Sequence, residues 1–354
     1  YMPMFIPESL LKKESEHVEG FAPEVAWVTY GGKNQLEEKL CVRPTSETLF
    51  CDYYSDVVGS YRDLPKLYNQ WCSVVRWEKS TRPFLRSREF LWQEGHTVHE
   101  TAKEAEEETL RMLNIYKKFF EEYLAIPVLV GKKTEKEKFA GAEYTLSLEA
   151  LMYDGVSLQS ATSHYFGQKF SKPFDVKFVD RENKLQYVYQ TSWGCSTRMI
   201  GGLIMVHGDD NGLVLPPKIA PKQVVIATIR NNENVLKVAN EFESKLKALG
   251  LRVIVDTSDK SAGFKFAEYE MKGIPIRIEV GPRDIENGQV IIARRDTGAK
   301  ETIKIEEVEG VITKLLDDIQ ANMYKRALEH TKERTYTCTT LDEVKEIMQT
   351  KPGF

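Results

Sequence analysis

The chain has 354 residues, 42% of them hydrophobic and 29% charged, with a formal net charge of −4. That length holds two domains and a short appendage, and the near-neutral charge excludes a uniform basic coat for nucleic acid while leaving room for a local basic groove. No apolar run approaches ~20 residues, which excludes a helical membrane span, and the opening YMPMFIPES is not a secretory signal. The five cysteines (Cys41, Cys51, Cys72, Cys195, Cys338) show no CxxC spacing. They point to a reducing compartment and to thiols that serve as small buried hydrophobes.

The chain starts inside an extended apolar run, so further sequence upstream is expected. CVRPTSETLF (41–50) then puts Thr45 and Glu47 two apart, on one face if extended. A hydroxyl beside a carboxylate can hold an ammonium group, although the same pattern also opens helices. Residues 74–97, VVRWEKSTRPFLRSREFLWQEGHT, read as a hairpin around a basic loop with Lys79, Arg82, Arg86 and Arg88. Arg76 and Glu78 are expected to share a strand face, and Phe90, Trp92 and Glu94 repeat the spacing on the return strand. Charges on an apolar strand are costly without a partner. A guanidinium with aromatic rings and carboxylates suits a nucleotide; an internal Arg–Glu pair on a solvated face is the other reading.

Thr101-Ala-Lys-Glu104 forms a capping box. The helix it opens is expected to bury Leu110, Leu113, Tyr116, Phe119, Phe120 and Tyr123. QSATSHYFGQ (159–168) supplies Gln159, Thr162 and His164, and TSWGCSTR leads to Arg198. His17, His99 and His330 read as structural. Neither a P-loop nor a dinucleotide glycine fingerprint is present, so a nucleotide must be gripped by arginines.

The linker PPKIAPKQ (216–223) marks a domain boundary. Beyond it, strands at 224–228, 251–255, 274–280, 290–293 and 302–305 are expected. A helix capped by Asn231 or Asn232 carries Val235, Val238, Ala239, Phe242 and Leu246 on one face. This alternation predicts a small α/β domain with a mixed, mostly parallel sheet. From about 323 the chain is helical and polar.

RPTSE, VVRWE, FLWQEGHT, EKFAGA, TSWG, HGDDNGLVLPP and GPRD, in this order, resemble a class II aminoacyl-tRNA synthetase, and more closely a prolyl-tRNA synthetase of the archaeal/eukaryotic type. The resemblance implies an α+β catalytic domain at 1–217, built on an antiparallel sheet flanked by helices, with the first motif cut short. It implies an α/β anticodon-binding domain at 218–322 and, at 323–354, the start of a truncated helical extension. It implies that Arg76 and Arg198 carry catalysis, and that ATP meets Arg76, Glu78, Arg86, Phe90, Gln159, Thr162 and Arg198. Proline would meet Thr45, Glu47, Arg76, Trp92, Glu94, His96, Phe139 and His164, and Arg283 and Lys265 would meet the anticodon. ATP with Mg2+, proline, tRNA(Pro), a homodimer and a cytoplasmic enzyme without an editing insertion are implied with it. A synthetase for another amino acid and a non-catalytic RNA-binding relative are the alternatives. The presence of Arg76, Arg86 and Arg198 weighs against the second.

Overall fold

The computed structural model describes residues 1–13 and 25–354, and His17 lies outside them. The chain forms two compact units. One comprises Tyr1–Lys118, Val128–Ala150 and Ser157–Gly202; the other comprises Phe119–Pro127, Leu151–Val156 and Leu203–Phe354.

In the first unit, β1 (Phe5–Pro7), β2 (Ala26–Gly31) and β3 (Asn34–Val42) form a small sheet in the order β1-β3-β2. The helix α1 (Glu47–Val57) follows. The main sheet is made from β4 (Lys66–Val75), β5 (Glu89–His99), β6 (Val128–Lys132), β7 (Tyr144–Leu151), β8 (Ser157–Gly167) and β11 (Tyr189–Ser196), in the order β4-β5-β11-β8-β7-β6. The short strands β9 (Lys177–Val179) and β10 (Leu185–Tyr187) pair with each other. The β4–β5, β5–β11, β8–β11 and β6–β7 pairings are all antiparallel. Phe50, Tyr54, Val98, Phe166, Phe170 and Phe178 fill the core beside this sheet.

The helix α2 (Ala102–Lys118) opens with the expected capping box, with both bonds between Thr101 and Glu104 at 3.2 Å. Its buried stripe is narrower than expected. Ala105, Thr109, Leu113, Tyr116 and Phe120 are buried, whereas Leu110 is 51% and Tyr123 46% exposed. Leu110 falls off the i, i+4, i+8 line of that stripe. A π-helical turn over Phe119–Tyr123 winds wider than an α-helix and carries Tyr123 away from it.

In the second unit every expected strand is present: β12 (Val224–Thr228), β13 (Val253–Asp256), β14 (Ile276–Val280), β15 (Gln289–Arg294) and β16 (Lys300–Lys304). The sheet is mixed, with β12 parallel to β13 and β14, and the β14–β15 and β15–β16 pairs antiparallel. Parallel pairing thus covers half of the sheet. The helix α4 (Glu233–Ala248) is capped by Asn232, whose side chain accepts from the Val235 amide at 2.9 Å. Its Val235, Ala239, Phe242 and Leu246 pack in the unit's core. α5 spans Ala262–Met271, and the short α6 spans Pro282–Glu286. α7 (Val308–Glu333) runs unbroken through 322–323 and buries Met323 and Ala327, so the helix starts well before the expected change of texture. α8 (Leu341–Thr350) follows; α3 (Arg198–His207) continues from β11. Among the described residues no helix is long and apolar enough to cross a membrane.

Candidate active site

Strand alternation builds the floor of the site. Side chains two apart share a sheet face, so β5 presents Phe90, Trp92, Glu94 and His96 together. The register sets His96 opposite Ser192 and Glu94 opposite Gly194 on β11; on β8, His164 faces Ser192 and Thr162 faces Gly194. These residues line an open cleft together with Thr45, Glu47, Arg76, Phe139, Gln159 and Arg198. Glu78 and Arg86 line an adjoining pocket, and Arg76, Phe90, Ser196 and Arg198 border both. The sixteen residues singled out in the sequence thus divide plainly: all but Arg283 and Lys265 gather around this one double cleft.

At the deeper end stands a charged cluster. Glu47, the first residue of α1, is buried at a helix N-terminus, where a carboxylate is favoured. Thr45 Oγ1 donates to Glu47 Oε2, and Ser192 Oγ donates to Glu47 Oε1 at 3.1 Å. Thr45 and Glu47 meet through the turn into α1, not through an extended strand as expected. Glu94 is 2% and His96 4% exposed, and Glu94 Oε2 sits 2.8 Å from His96 Nε2. Burial raises the Glu94 carboxyl, but His96, Ser46 and Gln70 outweigh it and hold the group below its usual range. Burial lowers His96, yet Glu94 and Glu47 overcome this and raise it. The two form a buried ion pair. His164 is the opposite case: burial first, then His96 and Arg76, push it down to about 3. It is neutral, with Nδ1 2.9 Å from Thr145 Oγ1 and Nε2 3.0 Å from Thr162 Oγ1. The Phe139 ring packs 4.6 Å from it.

Toward the mouth, Arg76 lies over Phe90 and Trp92, 5.4 and 5.6 Å from the ring centroids, and donates through Nε to the Pro44 carbonyl at 3.1 Å. β4 ends at Val75, so Arg76 and Glu78 sit beyond the strand and do not share a strand face as expected. Arg76 is instead held by its backbone N–H, which donates to the Arg88 carbonyl at 2.8 Å. Glu78 pairs with Arg86 at 3.5 Å. Arg82 and Arg86 close the loop tip as a small antiparallel bridge, with Phe84 at φ 58°. Arg198 Nε donates to the Leu85 carbonyl at 2.9 Å. Arg76 and Arg198 thus face one cleft.

In the second unit Arg283 is exposed on α6. Lys265 corrects the expectation placed on it. It is 1% exposed, and its ammonium donates to the carbonyls of Thr228 at 2.9 Å and Asp256 at 3.1 Å. It holds two strands together and cannot reach a nucleic acid. The physical reason is period: 262–271 is a helix, so Lys265 and Tyr269 share its inner face.

Sequence reasoning missed Ser46, Gln70 and Ser192. The available signal was register, since Gln70 lies directly opposite Glu94 in the β4–β5 pairing.

Two family profiles match the chain. The one described as tRNA synthetase class II core domain (G, H, P, S and T) covers residues 28–207, and the one described as anticodon binding domain covers 223–315. A proline–tRNA ligase of Lachnospira eligens is 63% identical over the whole chain, which spans 74% of that protein. A proline–tRNA ligase 2 of Bacillus cereus is 62% identical with the same coverage. The crystal structure of prolyl-tRNA synthetase from Cryptosporidium parvum, complexed with halofuginone and AMPPNP, is 46% identical and superposes with a TM-score of 0.94. That match covers 99% of this chain and 73% of the other. With a class II core across the double cleft and relatives of this closeness, the chain belongs to the prolyl-tRNA synthetase family of class II aminoacyl-tRNA synthetases.

Proposed function

We infer that the chain activates proline with ATP and transfers it to the 3′ end of tRNA(Pro), the ligase reaction of its family. The observation that carries this reading is a single one. Arg76 borders both an acidic, aromatic-walled pocket and a second, arginine-lined one. A zwitterionic amino acid and a triphosphate would meet at that guanidinium.

Glu47 and Thr45 would take the proline ring NH2+. Each Glu47 oxygen has one donor in the protein and retains a lone pair for the substrate. Trp92, Glu94, His96, Phe139 and His164 would enclose the ring, with Glu94 acting through His96. Arg76 would grip the carboxylate and the α-phosphate. Glu78 would accept from the adenine amino group, Phe90 would stack on the base, and Arg86 would meet the γ-phosphate. Gln159 and Thr162 would line the ribose and phosphates, and Arg198 would face the phosphates from the other side. A proline carboxylate oxygen attacks the α-phosphorus and the bond to the β-phosphate oxygen breaks, releasing pyrophosphate. The terminal ribose hydroxyl then attacks the prolyl carbonyl and AMP leaves. No side chain forms a covalent bond; rate comes from positioning and from charge placed where phosphate charge spreads.

Mg2+ would be held by the phosphate oxygens, and the cleft wall offers the hard oxygen donors Glu137 and Gln159, which fit that ion. Residues 1–217 would form the catalytic domain, 218–322 the anticodon-binding domain and 323–354 the start of a helical extension. Arg283 would serve the anticodon, whereas the buried Lys265 would not. A homodimer in the cytoplasm completes the reading. ATP–pyrophosphate exchange with a panel of amino acids tests it. Exchange is expected with proline; exchange with threonine or glycine instead would refute the specificity.

A further inference from the structure

We propose that Gln70 is a positioning residue of the amino-acid pocket: it ties the backbone at Met2 to the Glu94 carboxylate, and through Glu94 it sets the orientation and charge of His96. This rests on the reading that the cleft takes proline.

Gln70 sits on β4 directly across from Glu94 and is buried. Both ends of its side-chain amide are engaged. Oε1 accepts from the Met2 amide at 2.9 Å, while Nε2 donates to Glu94 Oε1 at 2.6 Å and to Ser46 Oγ at 3.0 Å. Only one orientation of the amide serves both a backbone N–H and a carboxylate, so the flip is fixed by chemistry. Met2 is itself anchored, because Arg43 Nη1 donates to its carbonyl at 2.7 Å.

Glu94 then has little left to offer a substrate. Oε1 takes Gln70, Ser46 and, at 3.5 Å, the Cys72 thiol; Oε2 takes His96. The carboxylate is consumed in holding the imidazole, which also stacks on Phe50 at 4.4 Å. The other charged or titratable groups that bear on the pair are Glu47, Arg76 and His164 in the cleft and Arg43 behind Cys72. A hydrogen bond to a charged, buried acceptor is among the strong ones. Without the Gln70 donor, Glu94 takes up a proton at higher pH and releases the ring.

The test is Gln70→Met, close in volume but without donor or acceptor, assayed in the full chain by proline-dependent ATP–pyrophosphate exchange. The proline KM is expected to rise about tenfold or more, with the ATP KM within about twofold. The acid limb of kcat/KM for proline should move to higher pH. Ser46→Ala, which removes a donor to the same oxygen, should move that limb the same way. A wild-type proline KM and acid limb in Gln70→Met would overturn the proposal. So would equal losses toward proline and ATP with the limb unmoved, the mark of general loosening. If Gln70→Met does not fold, Ser46→Ala decides alone: an unmoved limb there rejects the role. Wild-type chain without proline-dependent exchange would remove the underlying reading, and this inference with it.

Discussion

The buried pair Glu94–His96 makes stability depend on pH in two directions. Glu94 is depressed in the fold, so its contribution is whole above about pH 4.3, the ordinary Glu value, and is lost as pH falls through the folded value. His96 is raised, so its contribution is whole below about pH 6.5 and is lost as pH rises through the folded value. Between those limits Glu94→Gln should cost about 3–5 kcal/mol in urea unfolding, since it strands a buried partner. The penalty should shrink above and below the window; a penalty flat from pH 4 to 9 would contradict the pairing. Arg198→Ala is expected to raise the ATP KM while proline binding changes little, because that guanidinium sits against Leu85 and Gln159, away from the Glu47 cluster. Equal loss of both would mean that Arg198 is misassigned. At this scale the sequence was informative wherever alternation applied. Phe90, Trp92, Glu94 and His96 share a face because the strand runs straight through them. Arg76 and Glu78 escaped that rule because the strand ends at Val75.

The site shares one face of the main sheet with the core of Phe50, Val98 and Phe166, and α2 packs against the other face. Gly95 points away from Glu94 and His96, across from Trp193 on β11. A Cβ there would lie 2.1 Å from the Trp193 ring, whose other neighbours include Tyr116 of α2, in edge contact at 6.5 Å. Trp193 is therefore held between sheet and helix, and the glycine gives it room. Gly95→Ala is expected to destabilise by about 1–3 kcal/mol through overpacking, read as a lower midpoint in thermal unfolding; an unchanged midpoint would contradict this packing. Elements set by local signals were legible: the Thr101–Glu104 box, the Asn232 cap and the five strands of the second unit. Gln70 was not, since it acquires meaning only from cross-strand register, a non-local fact. Lys265 entered only through the family resemblance, while its i, i+4 relation to Tyr269 marks the inner face of a helix.

For the whole molecule, the two units predict separable defects. Arg283→Ala should raise the tRNA KM in aminoacylation far more than it alters pyrophosphate exchange. Lys265→Met should instead lower thermal stability by about 1–3 kcal/mol, because the carbonyls of Thr228 and Asp256 lose a buried donor. A selective tRNA defect in Lys265→Met, without lost stability, would reverse that assignment. Family and architecture were readable from seven short motifs because their joint order along the chain is specific where each motif alone is weak. The measurement that bears most directly on the central claim is the charging of tRNA(Pro) with individually labelled amino acids. The account predicts proline esterified to the tRNA 3′ end, dependent on ATP and abolished by Arg76→Ala. A chain that charges a different amino acid, or retains proline charging without Arg76, would contradict it.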